Sequence, residues 1–265
     1  MFKNYFKTAF RNLARNKVYS FINIAGLSLG LACAMLILLY VKDEVSFDRF
    51  NKNINNIYRI AKKSKDSHEI GSTGVLQGPR FTQNIPGIKS FVRIDAGSED
   101  IKKGAEVREQ DGVLYVDSNF FSVFTFPLLS GDPKTCLTEP HSIVLSEDAA
   151  KNQFGTTEAV GKMIMIKGDS TFVPYKVTAV AKRCPQNSSI QFEALIPITT
   201  SDISETDTKD THSWFNSFLT TFVVLDDKAN LQTVEKQMQS FYVADAKQTF
   251  YEMLKIDGGD PDVFS

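Results

Sequence analysis

Residues 18–41 read VYSFINIAGLSLGLACAMLILLYV, bounded by Lys17 and Lys42 and free of any charged side chain. An α-helix rises about 1.5 Å per residue, so this run reaches about 36 Å, enough to cross a hydrocarbon core of about 30 Å with some tilt. Core helices of soluble proteins rarely run so far without a charge, and the stretch reads as a transmembrane helix. A cleaved signal peptide fits less well. Its apolar region is typically about 7–15 residues and ends at small residues. Here Ala32, Cys33 and Ala34 lie in the middle of the run, and cleavage there would leave Met35–Val41 on the mature end. Gly30 and Leu31 are poor residues to precede a lipoprotein-type Cys33.

The flanks set the orientation. Lys3, Lys7, Arg11, Arg15 and Lys17 precede the span with no acid among them, while Asp43, Glu44 and Asp48 follow it. The excess of cations places the N-terminus in the cytoplasm and residues 42–265 on the far side. Residues 1–17 also carry helical periodicity. Phe2, Phe6, Phe10 and Leu13 share one face, and Lys3, Lys7, Arg11 and Arg15 recur every four residues on the other, as in an interfacial helix with cations toward anionic lipid. Inside the span, Gly26, Gly30 and Ala34 repeat every four residues, a spacing that lets another helix approach closely.

The chain has 265 residues with 30 basic and 31 acidic side chains, so no global positive field draws nucleic acid. Five of the cations precede the span, and the remainder carries 25 against all 31 acids, a net of −6. Hydrophobic residues make up 42% and charged residues 23%, which excludes wholesale disorder. Three cysteines are too few for a disulfide scaffold. Cys136 and Cys184 fall on the outer side, where pairing and two free thiols both remain open.

After Val41 no uncharged apolar run is long enough to span. Phe47, Phe50, Ile54 and Ile57 have helical spacing. Strands are expected at Ile57–Lys63, Ile88–Ala96, Ser142–Leu145, Met163–Lys167, Tyr175–Lys182 and Phe192–Ile196. Phe218–Leu225 reads as a continuously buried strand. Glu106–Val116 reads as two strands about Asp111-Gly112, a hairpin signal. Helices are expected at Val75–Asn84, at Ser118–Phe124, from Ser146 to a stop at Gly155, and from Asn230 or Thr233 to about Thr249. Asp202–His212 reads as an exposed loop and the last ten residues as a frayed end. The fold class is α+β.

The chemistry-bearing residue types form no site. Gly155-Thr-Thr-Glu-Ala-Val-Gly161-Lys162-Met163 resembles a phosphate loop but fails it. Five residues separate the glycines instead of four, Met163 stands where a hydroxyl should meet Mg²⁺, and a strand is expected to follow. His68, His141 and His212 are far apart and none has a second ligand at helical spacing, which argues against zinc. No G-x-S-x-G elbow is present. Trp214 with Phe215 and Phe218 reads as core. No catalytic, cofactor-binding or metal-ligating residue is assigned, and the chain is not expected to be an enzyme.

Arg11-Asn-Leu-Ala-Arg15-Asn-Lys17 running into Ser20-Phe-Ile-Asn-Ile-Ala-Gly26-Leu-Ser-Leu-Gly30 resembles the first transmembrane entry of MacB/FtsX-type ABC transporter permeases. Further stretches fit the same family in order and spacing. They are Asp43-Glu44-Val-Ser-Phe47-Asp48-Arg49-Phe50, Ile57-Tyr58-Arg59-Ile60, Gly78-Pro79, Ile85-Pro86-Gly87-Ile88, Val116-Asp117-Ser-Asn-Phe120-Phe121-Ser-Val-Phe124-Thr-Phe126-Pro127-Leu128, Leu129-Ser-Gly131-Asp132-Pro133, Val144-Leu145-Ser146-Glu147, Phe154-Gly155, Val160-Gly161-Lys162, Tyr175-Lys-Val-Thr-Ala-Val180 and Pro185-Gln-Asn187-Ser188.

The resemblance implies three parts: a cytoplasmic amphipathic segment (1–17), an inner-membrane helix (18–41) and a MacB-like periplasmic core domain (42–265). It implies a permease subunit, or the N-terminal fragment of one. The family permease has at least three more helices after this domain, so a truncated chain is expected. The implied partners are a second permease subunit, a cytoplasmic ABC ATPase that hydrolyses ATP, a periplasmic adaptor and membrane lipid, with no nucleic acid. Motion driven by the ATPase would pass to the outer domain for export of peptides, drugs or lipoproteins. The alternative is a single-pass, membrane-anchored periplasmic domain that binds or senses a ligand.

Overall fold

The computed structural model describes residues 2–63, 69–168, 171–200, 214 and 216–256. They fall into two compact units, 1–48 and 49–265. The first holds two helices, α1 (Phe2–Arg15) and α2 (Lys17–Glu44). No residue of α2 is buried against the described residues.

The second unit is mixed. Its elements in chain order are β1 (Ile57–Arg59), β2 (Lys62–Lys63), β3 (Glu69–Ile70), α3 (Gln77–Asn84), β4 (Ile88–Lys103), β5 (Glu106–Val116), α4 (Phe120–Val123), β6 (Leu128–Ser130), β7 (Ser142–Ser146), α5 (Glu147–Phe154), β8 (Met163–Lys167), β9 (Phe172–Ala181), β10 (Ala194–Pro197), β11 (Thr220–Leu225) and α6 (Leu231–Ile256). Six strands close on themselves in the order β4-β5-β10-β7-β9-β8, with β8 pairing back onto β4. Closure removes the open edges that an antiparallel sheet would otherwise expose. The first half of β4 instead pairs with β11, which pairs with β1. Strand β4 therefore belongs to the barrel and to a three-stranded extension.

Alternation divides the side chains between two cores. Val113, Ile143, Leu145, Ile164, Ile166, Ala194 and Ile196 form one buried cluster, which Ala149 and Ala150 of α5 join. Leu114, Val144, Ala179 and Leu195 belong to the other, with Phe120, Phe124, Phe126 and Phe192. Phe120 stacks on Phe126 at 5.6 Å and meets Phe124 at 5.1 Å, and Phe126 meets Phe192 edge-on at 5.2 Å. Each such ring contributes about 1.5–3 kcal/mol by burial.

A third cluster surrounds Trp214. It stands 5.8 Å from Phe81 and 5.2 Å from Tyr242, and its indole N–H donates to Asp245 Oδ2 at 2.9 Å. Helix α6 turns Val234, Met238, Phe241, Tyr242 and Ala246 to this cluster, the spacing of one helix face.

Local signals account for the ends of α5. Ser146 Oγ accepts the Ala149 N–H at 3.0 Å, and the chain turns left-handed at Gly155. Asn230 Oδ1 accepts the Thr233 N–H at 3.1 Å ahead of α6, which runs beyond the expected stop at Thr249.

Other expectations are corrected. Glu106–Val116 is one strand, and the hairpin turn lies at Gly104-Ala105. Between the pairs Gly97–Val113 and Glu99–Gln110, β5 carries two residues against one on β4. Gly112, at φ 72, supplies the left-handed backbone of that bulge. Strand β4 continues past Ala96 to Lys103. Phe47–Ile57 forms turns and a short 3₁₀ segment rather than a helix. Strand β11 begins at Thr220 and alternates, because one face packs on a core and the other is only half covered. Asp202–His212 and the last nine residues lie outside the described residues.

Candidate functional site

In the first unit, α2 is the helix long and apolar enough to cross a membrane, with a mean hydropathy of 2.4. Its large side chains stand bare, Leu27 at 74% and Leu38 at 68% exposed. The helix surface at Gly26 and Gly30 is open. Helix α1 leaves Tyr5 and Phe10 uncovered.

In the second unit, the motifs behind the family resemblance serve the fold. Asp117 Oδ2 accepts the backbone N–H of Arg93 at 2.7 Å and its Nε–H at 3.0 Å, while Oδ1 accepts Nη2 at 2.7 Å. Asn119 donates to the Phe91 carbonyl at 2.9 Å. Together these tie the start of α4 to β4. Gly131 has φ 97, and a Cβ there would sit 2.5 Å from the Ala179 Cβ, so the chain passes too close to β9 for any side chain.

Titratable groups cluster near the β4–β5 pairing. Tyr115 donates its hydroxyl to Glu99, and burial first and this carboxylate second push its pKa up. Asp95, opposite Tyr115 in register, is also raised by burial. Tyr175 is raised by burial and then by Glu99. Tyr115 is bonded to Glu99, whereas Asp95 accepts from the Ala96 N–H and Tyr175 is bonded to Thr200.

Gly155 closes α5, Gly161 donates to the Val177 carbonyl at 2.8 Å, and Met163 opens β8. A strand, not a helix, follows the turn, so no helix N-terminus faces a phosphate. His141 packs edge-on against Tyr175 at 5.1 Å, whereas His68, His212 and Phe215 lie outside the described residues. Trp214 is fully buried, but Phe218 is 41% exposed and is not core. Among the described residues no group of three or more His, Cys, Asp or Glu could hold a metal. Cys136 and Cys184 are free thiols buried in the phenylalanine cluster. Burial pushes Cys136 up to about 11 and raises Cys184.

A shallow groove of about 600 Å³ runs past Pro86, Gly87, Lys89, Asp226, Asn230 and Gln237. Lys89 and Asp226 pair across it at 2.9 Å, and the carboxylate raises the lysine pKa. The groove is an open surface, lined also by Asp227 and Lys228. The ion pair of Arg93 with Asp117 was not readable from sequence, because 24 residues separate partners of common types.

Three comparisons bear on these parts. The model of the MacB-like periplasmic core domain matches residues 20–241. No curated protein matches the chain. A crystallised domain assigned to a permease protein of Porphyromonas gingivalis is similar at 19% identity, with a TM-score of 0.59, covering 73% of this chain and 86% of that one. The periplasmic region of MacB from Actinobacillus actinomycetemcomitans is similar at 16% identity, with a TM-score of 0.52, covering 73% and 85%. At these identities the two structures support the fold, and the family rests on the sequence model. The match begins inside α2 and runs through the barrel into α6. The chain belongs to the MacB-like periplasmic core domain family, the non-catalytic outer domain of MacB/FtsX-like ABC transporter permeases.

Proposed function

We propose that the chain acts as a permease subunit, or the N-terminal part of one, of a MacB/FtsX-type ABC transporter. In this reading α2 spans the inner membrane, the N-terminus is cytoplasmic and residues 42–265 are periplasmic. A separate cytoplasmic subunit hydrolyses ATP. A second permease subunit packs beside α2, and a periplasmic adaptor engages the outer domain. The domain receives the helix motion and uses it to export peptides, drugs or lipoproteins.

The observation that carries the reading is the span of the family match, residues 20–241, which takes in most of the apolar helix as well as the barrel. The charge pattern supports the orientation: five cations precede the uncharged run 18–41, and the first acids follow it. The sensor alternative finds less support, since the charged groove is shallow and open.

The test is orientation and composition together. A cysteine at Gln186, which is exposed, should be labelled by an impermeant maleimide from outside intact spheroplasts. Cross-linking in native membranes should then recover the chain with an ABC ATPase and a second permease chain. Labelling only after lysis overturns the orientation, and a chain recovered alone overturns the transporter reading.

A further inference from the structure

The outside of the barrel differs from one side to the other. Over β7, β10 and the far part of β9, the outward residues Val144, Leu195 and Ala179 lie under the phenylalanine cluster. Around β8 the outward residues are bare. Ile101 pairs with Ile166 in the barrel interior, so their neighbours Lys102 and Met165 turn outward as a pair. Register extends this pair into one row, with Val107 opposite Lys102 and Pro174 opposite Met165. Four strands at a spacing of about 4.8 Å make the row about 14 Å long. Met163, opposite Lys176, and Phe172, opposite Lys167, stand in the rows on either side. Val107 is 50% and Met163 51% exposed. Single exposed apolar residues are ordinary. A contiguous group on the outside of a barrel, where alternation calls for polar side chains, marks a contact surface.

The charge on this face selects what covers it. Asp100 and Lys167 neutralise one another at 2.8 Å. Lys102 and Lys176 form no ion pair among the described residues. Lys102 instead holds its ammonium 5.7 Å from the centre of the Phe172 ring. The face is thus cationic on a domain whose charges are 25 basic against 31 acidic. Unpaired lysines among apolar side chains are complementary to carboxylates set among apolar side chains. A second copy meeting the face with its own would oppose lysine to lysine. A leaflet is entered by aromatic or long apolar side chains, and the bounding turns Gly104-Ala105 and Asp169-Ser170 carry none. Strand β8 is paired on both sides, so it offers no edge for strand addition and contact is through side chains.

We propose that this face, formed by Lys102, Val107, Met163, Met165, Pro174 and Lys176, docks an acidic polypeptide segment of a periplasmic partner. The proposal rests on the periplasmic placement of the domain, and its test separates the two. The full chain in phosphatidylcholine nanodiscs is titrated with a fluorescein-labelled octapeptide of alternating Glu and Leu. Anisotropy should report saturable binding that weakens in about 0.5 M sodium chloride. The matching octapeptide of Lys and Leu should bind at least about tenfold more weakly. Lys102→Glu and Lys176→Glu should each weaken the acidic peptide about fivefold. Lys102→Gln, which keeps the stem over Phe172, should act in the same direction. Lys134→Glu, at an exposed lysine between β6 and β7, should change nothing.

Vesicles containing phosphatidylglycerol should not displace the peptide. No binding of the acidic peptide, equal binding of the two peptides, an equal loss in Lys134→Glu, or displacement by the vesicles overturns the proposal. Placement is read separately, from Met163→Cys in the chain carrying Cys33→Ala. An impermeant maleimide should label it from outside intact spheroplasts. Labelling only after lysis overturns the periplasmic placement, whereas the peptide titration alone judges the surface.

Discussion

Arg93 and Asp117 form a two-point ion pair, Nη2 to Oδ1 at 2.7 Å and Nε to Oδ2 at 3.0 Å, with their side chains only 13% and 16% exposed. The same carboxylate accepts the Arg93 backbone N–H, and the Asp117 N–H donates to the Arg93 carbonyl at 3.3 Å. The pair thus fastens the end of β5 to β4 just ahead of the phenylalanine cluster. Asp117→Ala would leave a desolvated guanidinium and an unpartnered amide. The expected loss is about 2–4 kcal/mol, read as a lowered urea midpoint of the full chain in detergent. Asp117→Asn, which keeps an acceptor for the amide, should lose less.

Asp95 gives a pH dependence of definite sign. Burial raises its folded pKa above the unfolded 3.8, partly offset by a hydrogen bond from the Ala96 N–H. Its relative stabilisation is present below about pH 4 and is lost as pH rises through the folded pKa. Asp95→Asn should therefore melt higher than the wild type at pH 7. The gap should close as the pH is brought toward 3.

The buried thiols make a second pH window. Cys136 is pushed up to about 11 by burial, from 9.0 unfolded, so the native state keeps a proton that the unfolded state sheds between those values. Stability should decline across that interval, and Cys136→Ala should flatten the decline. At pH 8 a thiol reagent should modify Cys136 and Cys184 only after denaturant is added, because each lies in the packed cluster.

The sequence made local features legible and hid those that depend on partners far along the chain. Twenty-four uncharged residues announce α2, and Ser146 and Gly155 announce the ends of α5, because span length and capping are read within a few residues. Asp111-Gly112 misled because a glycine in the left-handed region serves a hairpin turn and a bulge equally well. Only the pairing of Val113 with Gly97 and of Gln110 with Glu99 decides between them. The polar stretch Gly97-Ser-Glu-Asp100 looks like a loop, yet it continues β4 because β5 pairs with it, and β8 pairs with Ile101 and Lys102 just beyond. Helical spacing at Phe47–Ile57 failed for the complementary reason. Phe50 and Ile57 pack on the phenylalanine cluster, and that contact, not a helix, fixes the chain there. No residue could be assigned to a reaction from sequence, and in the structure the conspicuous motifs hold the fold.

The small residues of α2 bear on how the proposed second permease subunit would dock. A Cβ added at Gly26 or Gly30 meets nothing within 4 Å, so neither glycine is needed for packing among the described residues. In lipid, helices associate through close backbone approach rather than through apolar burial, and small residues four apart allow it. Gly30→Leu would hold a partner backbone away and cost about 1–2 kcal/mol of association, close to a tenfold drop. The change should leave the outer domain untouched, since α2 and the barrel belong to separate units. A membrane two-hybrid assay should show weaker self-association for Gly30→Leu, while near-UV circular dichroism of the purified variant matches the wild type. Equal signals in the two-hybrid assay would place the permease contact on another face of α2, because a leucine on the packed face cannot be neutral where backbones touch.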